Sequence, residues 1–177
     1  MIKGMDIKQY IRIYDLKFPE TFLEGLIKTY DDQMEIAMVG DIATFDIQQR
    51  NCLTKKIYEP NHINIIYNEV DKMILDYTCV FPHVSISKND EGYIFLRYDE
   101  GCFYKEHIDC CKFERKLSII IVLNSDFQGG QISFFNQSYT LNLRRNQAVV
   151  FPSNFVFPHQ VRPVTFGTRR SIVTWVR

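Results

Sequence analysis

The sequence contains no run of about 18 consecutive apolar residues, the length a helix needs to cross a bilayer, which argues against a membrane-spanning helix. The opening residues, MIKGMDIKQY, mix charged and apolar types and lack the long apolar core of a secretory signal. The five cysteines, Cys52, Cys79, Cys102, Cys110 and Cys111, are odd in number, include an adjacent pair, and do not read as a disulfide framework. Together these absences lead us to expect an intracellular, cytoplasmic protein. Neither sign of charge is in excess, because 21 Lys and Arg balance 21 Asp and Glu. That balance disfavours the broad basic surface that generic nucleic-acid binding requires, although Lys112, Arg115 and Lys116 could form a local patch. It also argues against an acidic, solvated tail. No internal repeat, low-complexity tract or Pro/Gly/Ser-rich linker interrupts the chain. Tryptophan occurs once and histidine four times, so a site built on imidazole has few candidates.

What is present supports a packed core. Hydrophobic residues make up 46% of the 177, with 14 Phe and 10 Tyr, too many for a disordered chain. The length is that of one ordinary domain, which we expect to span residues 1–177, with helical support over about 1–83 and a β-rich core over about 84–177. In the first part, residues 19–30 open on Pro19 and place Phe22, Leu23, Leu26, Ile27 and Tyr30 at helical spacing. Residues 61–77 repeat the pattern with Ile63, Ile66, Tyr67, Val70, Met73, Ile74 and Tyr77. Both read as packing helices. Residues 31–59 read as loop with short strands. Beyond residue 84, short runs rich in Ile, Val, Phe and Tyr alternate with turn signals. We expect strands near 92–98, 104–109, 117–123, 131–135, 139–143, 148–151, 156–163 and 168–176. Gly129-Gly130, Asn136-Gln137-Ser138 and Arg145-Asn146 punctuate them, the last as a tight turn in which Asn takes the left-handed conformation. About eight short strands at this spacing predict a sandwich or barrel, with the helices on one face. The fold class is therefore α+β, mainly β.

The chemistry converges on histidine. The residues are His62, His83, His107 and His159. His107 precedes Asp109 by two positions, and in a strand residues i and i+2 share a face. His159 lies in FVFPHQV, where Phe157, His159 and Val161 share an otherwise apolar, inward face. Two imidazoles and one carboxylate on one side of a metal leave positions open, the facial arrangement of non-haem Fe(II) oxygenases. Without thiolate they favour Fe(II) or Mn(II) over a closed zinc site. His-x-Asp alone is a weak signal, and His159 alone also fits a core histidine. Ten residues after His159, Arg169 shares a strand face with Ser171, Val173 and Trp175, whereas Arg170, Ile172, Thr174 and Val176 share the other. An inward Arg169 needs a counter-charge, and a dicarboxylate suits its guanidinium, with Ser171 placed to add a hydroxyl. The alternative phase puts Arg169 in solvent. Ile172 and Val176, suited to cover a helix-packing face, favour the inward one.

At this point the chain resembles a family. Residues 98–109, YDEGCFYKEHID, and 159–175, HQVRPVTFGTRRSIVTW, are similar to the two metal-site segments of prolyl 4-hydroxylase-like 2-oxoglutarate/Fe(II)-dependent dioxygenases. Gly129-Gly130 with Ile132 and Phe134 resembles the glycine-pair strand between them. The resemblance covers about residues 90–177. It implies a double-stranded β-helix, the cupin-like jelly roll, supported by N-terminal helices. It implies that His107, Asp109 and His159 bind Fe(II), and that Arg169, with Tyr98 and Ser171, holds the distal carboxylate of 2-oxoglutarate. It puts Tyr104 and Trp175 at the pocket, toward the substrate, although both also fit plain packing. The implied reaction hydroxylates a substrate C–H while 2-oxoglutarate and O2 become succinate and CO2, with ascorbate as a supporting reductant. Asn146 stands where the family has glycine. Cys110 and Cys111, directly after Asp109, read as packed or idle cysteines or as pocket-edge thiols. The alternatives are a cupin-type metal-binding jelly roll that does not use 2-oxoglutarate, and a non-enzymatic jelly-roll binding module. The expected partner is a prolyl residue of a peptide or protein, or else a free amino acid or other small molecule. Selection would rest on the loops 31–59, 84–92 and 110–116. The sequence leaves the oligomeric state open.

Overall fold

The computed structural model describes residues 6–40, 44–87, 90–109 and 114–177. After one 3-10 turn at Ile7–Tyr10, the first half runs β1 (Arg12–Asp15), α1 (Glu20–Tyr30), β2 (Glu35–Ile36), β3 (Arg50–Asn51), β4 (Leu53–Lys56) and α2 (Pro60–Val80). The second half is all strand: β5 (Ile94–Tyr98), β6 (Phe103–His107), β7 (Leu117–Val122), β8 (Phe127–Gly129), β9 (Ile132–Phe134), β10 (Tyr139–Leu141), β11 (Gln147–Pro152), β12 (His159–Val161), β13 (Val164–Gly167) and β14 (Arg169–Val176). Seven strands form one sheet in the order β1-β11-β7-β14-β5-β4-β2. Five form a second in the order β10-β9-β12-β6-β3, and β13 pairs with β8. Every pairing is antiparallel. This is the jelly-roll core with N-terminal helices that the sequence leads one to expect.

Two apolar layers hold it together. The outer one lies between the helices and the larger sheet: Leu23 and Leu26 of α1 and Ile66 and Val70 of α2 meet Phe95, Ile119, Ile121 and Ile172. The inner one fills the space between the two sheets, with Leu96, Ile120, Val149 and Val173 on one side and Ile132, Phe134 and Val161 on the other. Strand β7, Leu-Ser-Ile-Ile-Ile-Val, is buried at every position. Its continuous apolar run follows from having a packed layer on each face. The phase of β14 falls out of the same geometry. Ile172 and Val176 belong to the outer layer and Val173 to the inner one, so Arg169 and Ser171 point between the sheets.

Several expectations are adjusted. Ile63 and Tyr67 are not part of the buried stripe of α2, being 36% and 40% exposed. Tyr67 lies about 100° round the axis from Ile66, at the stripe's edge. The short strands expected within 31–59 are three among the described residues, two in the larger sheet and one in the smaller. Asn146 has φ of +64°, as a left-handed turn demands. Its amide also ties down the chain ahead of α1, accepting from the Phe18 N–H at 3.3 Å and donating to the Phe18 carbonyl at 3.0 Å. Glycine would supply the turn without that clamp.

Candidate active site

Strand β6 ends on His107 and strand β12 begins on His159, and the two residues are direct cross-strand partners. Asp109 follows two positions after the end of β6. Its side chain still meets His107, with Nε2 to Oδ1 at 3.5 Å, and His159, with Nε2 to Oδ2 at 3.5 Å. The ligand atoms of the three residues lie within 4.8 Å of one another. Each imidazole is oriented from behind. His107 Nδ1–H donates to the Lys105 carbonyl at 2.8 Å, and His159 Nδ1–H donates to the Phe157 carbonyl at 3.2 Å. A ring held this way turns its Nε2 toward Asp109. His107 stacks on Tyr104, centroids 3.6 Å apart, and His159 is met edge-on by Phe151 at 4.7 Å.

Electrostatics suit a cation. Burial pushes the His159 imidazole down to about 4, and the adjacent His107 adds to the effect, so the ring is neutral near pH 7. Burial by itself raises the Asp109 carboxyl. His159, His107 and the Ser118 hydroxyl outweigh it and hold the group well below the usual carboxylate range. The Ser118 hydroxyl donates to Asp109 Oδ2 at 2.6 Å and meets Ser153 Oγ at 2.8 Å. Two imidazole Nε2 atoms and a carboxylate thus converge on one point. Such a cluster is favourable when a positive ion completes it.

Arg169 is 1% exposed. Its Nη1 donates to Ser171 Oγ at 2.8 Å, so Ser171 holds the guanidinium. Its buried Nη2 has no hydrogen-bond partner among the described residues. Burial pushes the Arg169 guanidinium down, and neighbouring Tyr98 pushes it back. The guanidinium carbon lies 5.4 Å from the centre of the buried Tyr98 ring, whose phenol burial keeps protonated. A desolvated cation with an unfilled donor needs an anionic acceptor. Gly130 makes room for it, since a Cβ there would sit 2.7 Å from Arg169 Cδ. One cavity of about 590 Å³ is lined by the three metal-site residues together with Tyr98, Tyr104, Arg169, Ser171 and Trp175. Every site residue expected from sequence therefore comes to one place. The donor set of imidazoles and a carboxylate fits Fe(II), and the unfilled Nη2 fits a carboxylate.

Residues 93–177 match the model of the 2OG-Fe(II) oxygenase superfamily. Over that stretch, just under half of its length, the chain is similar to that superfamily. Among curated relatives it is similar to a PKHD-type hydroxylase of Acaryochloris marina, 32% identical over 91 residues, covering 48% of this chain and 41% of that protein. A second, from Gloeothece citriformis, is 30% identical over 95 residues, covering 48% and 41%. The matched stretch thus spans about two fifths of those relatives' length. In fold the chain resembles a Trichoplax adhaerens prolyl hydroxylase solved with a hypoxia inducible factor peptide, at TM-score 0.81 and 17% identity, covering 94% of this chain and 83% of that one. It also resembles a Pseudomonas putida prolyl-4-hydroxylase, at TM-score 0.77 and 21% identity, covering 95% and 92%.

Sequence reasoning missed part of this site. Ser118 and Ser153 carried no signal beyond a hydroxyl in an apolar run. Arg50 lines the cavity from β3, in a segment without readable periodicity. Of the loops expected to select substrate, 31–59 contributes Met38, Val39, Gly40, Gln49 and Arg50 to the wall, and 110–116 contributes Arg115. Glu91, from 84–92, acts indirectly by holding Arg115. Because Arg115 is paired with Glu91, and Lys116 lies 4.0 Å from Glu114, these two make no free basic patch. Cys110, Cys111 and Lys112 lie outside the described residues. No described helix is long and apolar enough to cross a membrane.

Proposed function

We propose that the protein is a 2-oxoglutarate- and Fe(II)-dependent dioxygenase that hydroxylates a substrate C–H. The observation that carries this reading is the pairing, in one cavity, of a three-residue metal cluster with a buried arginine whose Nη2 is unfilled. His107, Asp109 and His159 would hold the ion. Arg169, kept in place by Ser171 and bordered by Tyr98, would take the distal carboxylate of 2-oxoglutarate. The chemistry these groups supply with O2 is oxidation of C–H to alcohol, with 2-oxoglutarate converted to succinate and CO2. The protein's part is placement. Backbone carbonyls fix both imidazoles, Ser118 fixes the carboxylate, and Leu96, Ile120, Val161 and Val173 give the cavity an apolar wall. A single cytoplasmic-type domain of residues 1–177 would carry the whole site.

The substrate we favour is a prolyl residue of a peptide or protein. Two similar folds support it, one a prolyl hydroxylase solved with a peptide fragment and the other a prolyl-4-hydroxylase. A free amino acid is the second candidate. Succinate release with Fe(II) and ascorbate, screened against prolyl peptides and free amino acids, tests the reading. Asp109→Ala should lower turnover by a factor of at least about 100 and weaken iron binding. Wild-type turnover in that variant would refute the metal assignment. A cupin-type site predicts bound metal but no succinate.

A further inference from the structure

The wall of the cavity carries four formally charged side chains besides its imidazoles: Asp109, Arg169, Arg115 and Arg50. In the reading above, a divalent ion and Arg169 together balance Asp109 and the dianionic co-substrate. Arg115 is balanced by Glu91, to which its Nε and Nη2 donate at 3.0 and 2.7 Å. Arg50 remains. Its Nε donates to Cys52 Sγ at 3.2 Å and its Nη1 to the Met38 carbonyl at 3.1 Å. Neither acceptor is a carboxylate, and no carboxylate pairs with Arg50 among the described residues. Arg50 is therefore a cavity-lining cation with no carboxylate partner among the described residues.

Its position is specific. Strand β3 pairs with β6 so that Arg50 faces Tyr104. The guanidinium carbon lies 4.6 Å from the Tyr104 ring centre, and Tyr104 stacks on His107 at 3.6 Å. Arg50 is thus one aromatic ring removed from a metal ligand. It is half-buried, where a charge-assisted hydrogen bond is less diluted by water than at the surface. Consecutive peptide residues are about 3.8 Å apart, so a carboxylate one residue from the reacting carbon is at the right scale to reach it. The α-carboxylate of a free amino acid is closer still. Arg50 also lies outside the segment that matches the superfamily model, which begins at residue 93.

We propose that Arg50 binds a carboxylate carried by the substrate next to the carbon that is hydroxylated, so that the enzyme selects acidic substrates. The proposal rests on the dioxygenase reading. The test uses two matched pairs: prolyl peptides with Glu or Gln beside the proline, and L-proline or L-prolinamide. Turnover is read as succinate release from the Fe(II) enzyme. Binding is read by titration of protein loaded with Mn(II) and 2-oxoglutarate without turnover. The acidic member of one pair should be preferred by about tenfold, the scale of a hydrogen bond to a charged group. Preference within the peptide pair identifies an acidic peptide, and preference within the proline pair identifies a small amino acid. Arg50→Gln should abolish the preference, and Arg50→Lys, which keeps the charge, should retain part of it. Equal use of acid and amide in both pairs overturns the proposal, as does binding of no member of either pair. A preference that survives Arg50→Gln, or a rise in the 2-oxoglutarate requirement alone, also overturns it. Failure of the underlying reading looks different: no Fe(II)-dependent consumption of 2-oxoglutarate under any condition.

Discussion

Ser118 is a hydroxyl in the middle of an isoleucine-rich strand, and its place there follows from Asp109. The carboxylate lies beyond the end of β6, so the strand alone does not fix its rotamer. The 2.6 Å hydrogen bond from Ser118, across from the larger sheet, does, and Ser153 steadies Ser118 in turn. All three side chains are buried, which makes the bond costly to leave unmade. Partners of this kind orient metal ligands, and their loss typically weakens metal affinity by about 10–100-fold. We expect Ser118→Ala to do so in an Fe(II) or Mn(II) titration while the metal-free protein still folds. An affinity equal to that of the wild type would show that Asp109 needs no such support. Arg169 shows the same logic at its own end of the cavity, where Ser171 occupies Nη1 and leaves Nη2 for a ligand.

Between elements, the paired glycines before β9 separate two kinds of constraint. At Gly129, φ +76°, a Cβ would lie 2.3 Å from the Pro163 carbonyl oxygen, a backbone clash between β8 and the chain entering β13. At Gly130, φ +62°, it would meet the Arg169 side chain instead. Gly129→Ala is therefore expected to be the more destabilising in a thermal melt. Gly130→Ala should cost about 1–2 kcal/mol for its left-handed backbone and should also raise the KM for 2-oxoglutarate, because the buried guanidinium has to shift. An unchanged KM in a folded Gly130→Ala variant would separate Arg169 from co-substrate binding. The same elements show what a sequence can carry. His107, Asp109, His159 and Arg169 were legible because strand alternation and one apolar face sufficed to aim them, even though Asp109 sits past its strand. Eight of the ten strands of the second half were legible for the same reason, whereas β8 and β13, a short pair of three and four residues, were not. Strands β2 and β3 are two residues each, too short for any period, and their pairing is set by distant partners. Arg50 was hidden for that reason, and Ser118 because its partner reaches it from another sheet.

Across the whole molecule, three distant pieces of chain meet at the rim of the cavity. Glu91 precedes β5, Arg115 precedes β7 and Arg177 follows β14. Glu91 accepts from Arg115 at 2.7 Å and from Arg177 at 3.0 Å. Arg115 in turn donates to the Asp109 carbonyl at 3.2 Å and lies 3.8 Å over the Trp175 ring. One carboxylate thereby ties the rim to the backbone of the metal site. Burial by itself raises the Glu91 carboxyl, but Arg115 and Arg177 outweigh it and hold the group below its ordinary value. A carboxyl depressed by folding contributes stability that is complete above its unfolded value, about 4.3, and is lost as pH falls through the folded one. The chain has a single tryptophan, so fluorescence excited where tyrosine does not absorb reports on the surroundings of Trp175, this contact included. Emission should be flat from neutral pH to about 5 and should change only below the ordinary glutamate range. Glu91→Gln, which keeps the shape but removes the charge, should shift the emission already at neutral pH and lower stability by on the order of 1–3 kcal/mol. Neutral emission identical to that of the wild type would mean that Arg115 rests on Trp175 without help from Glu91, and that the rim closes by stacking alone.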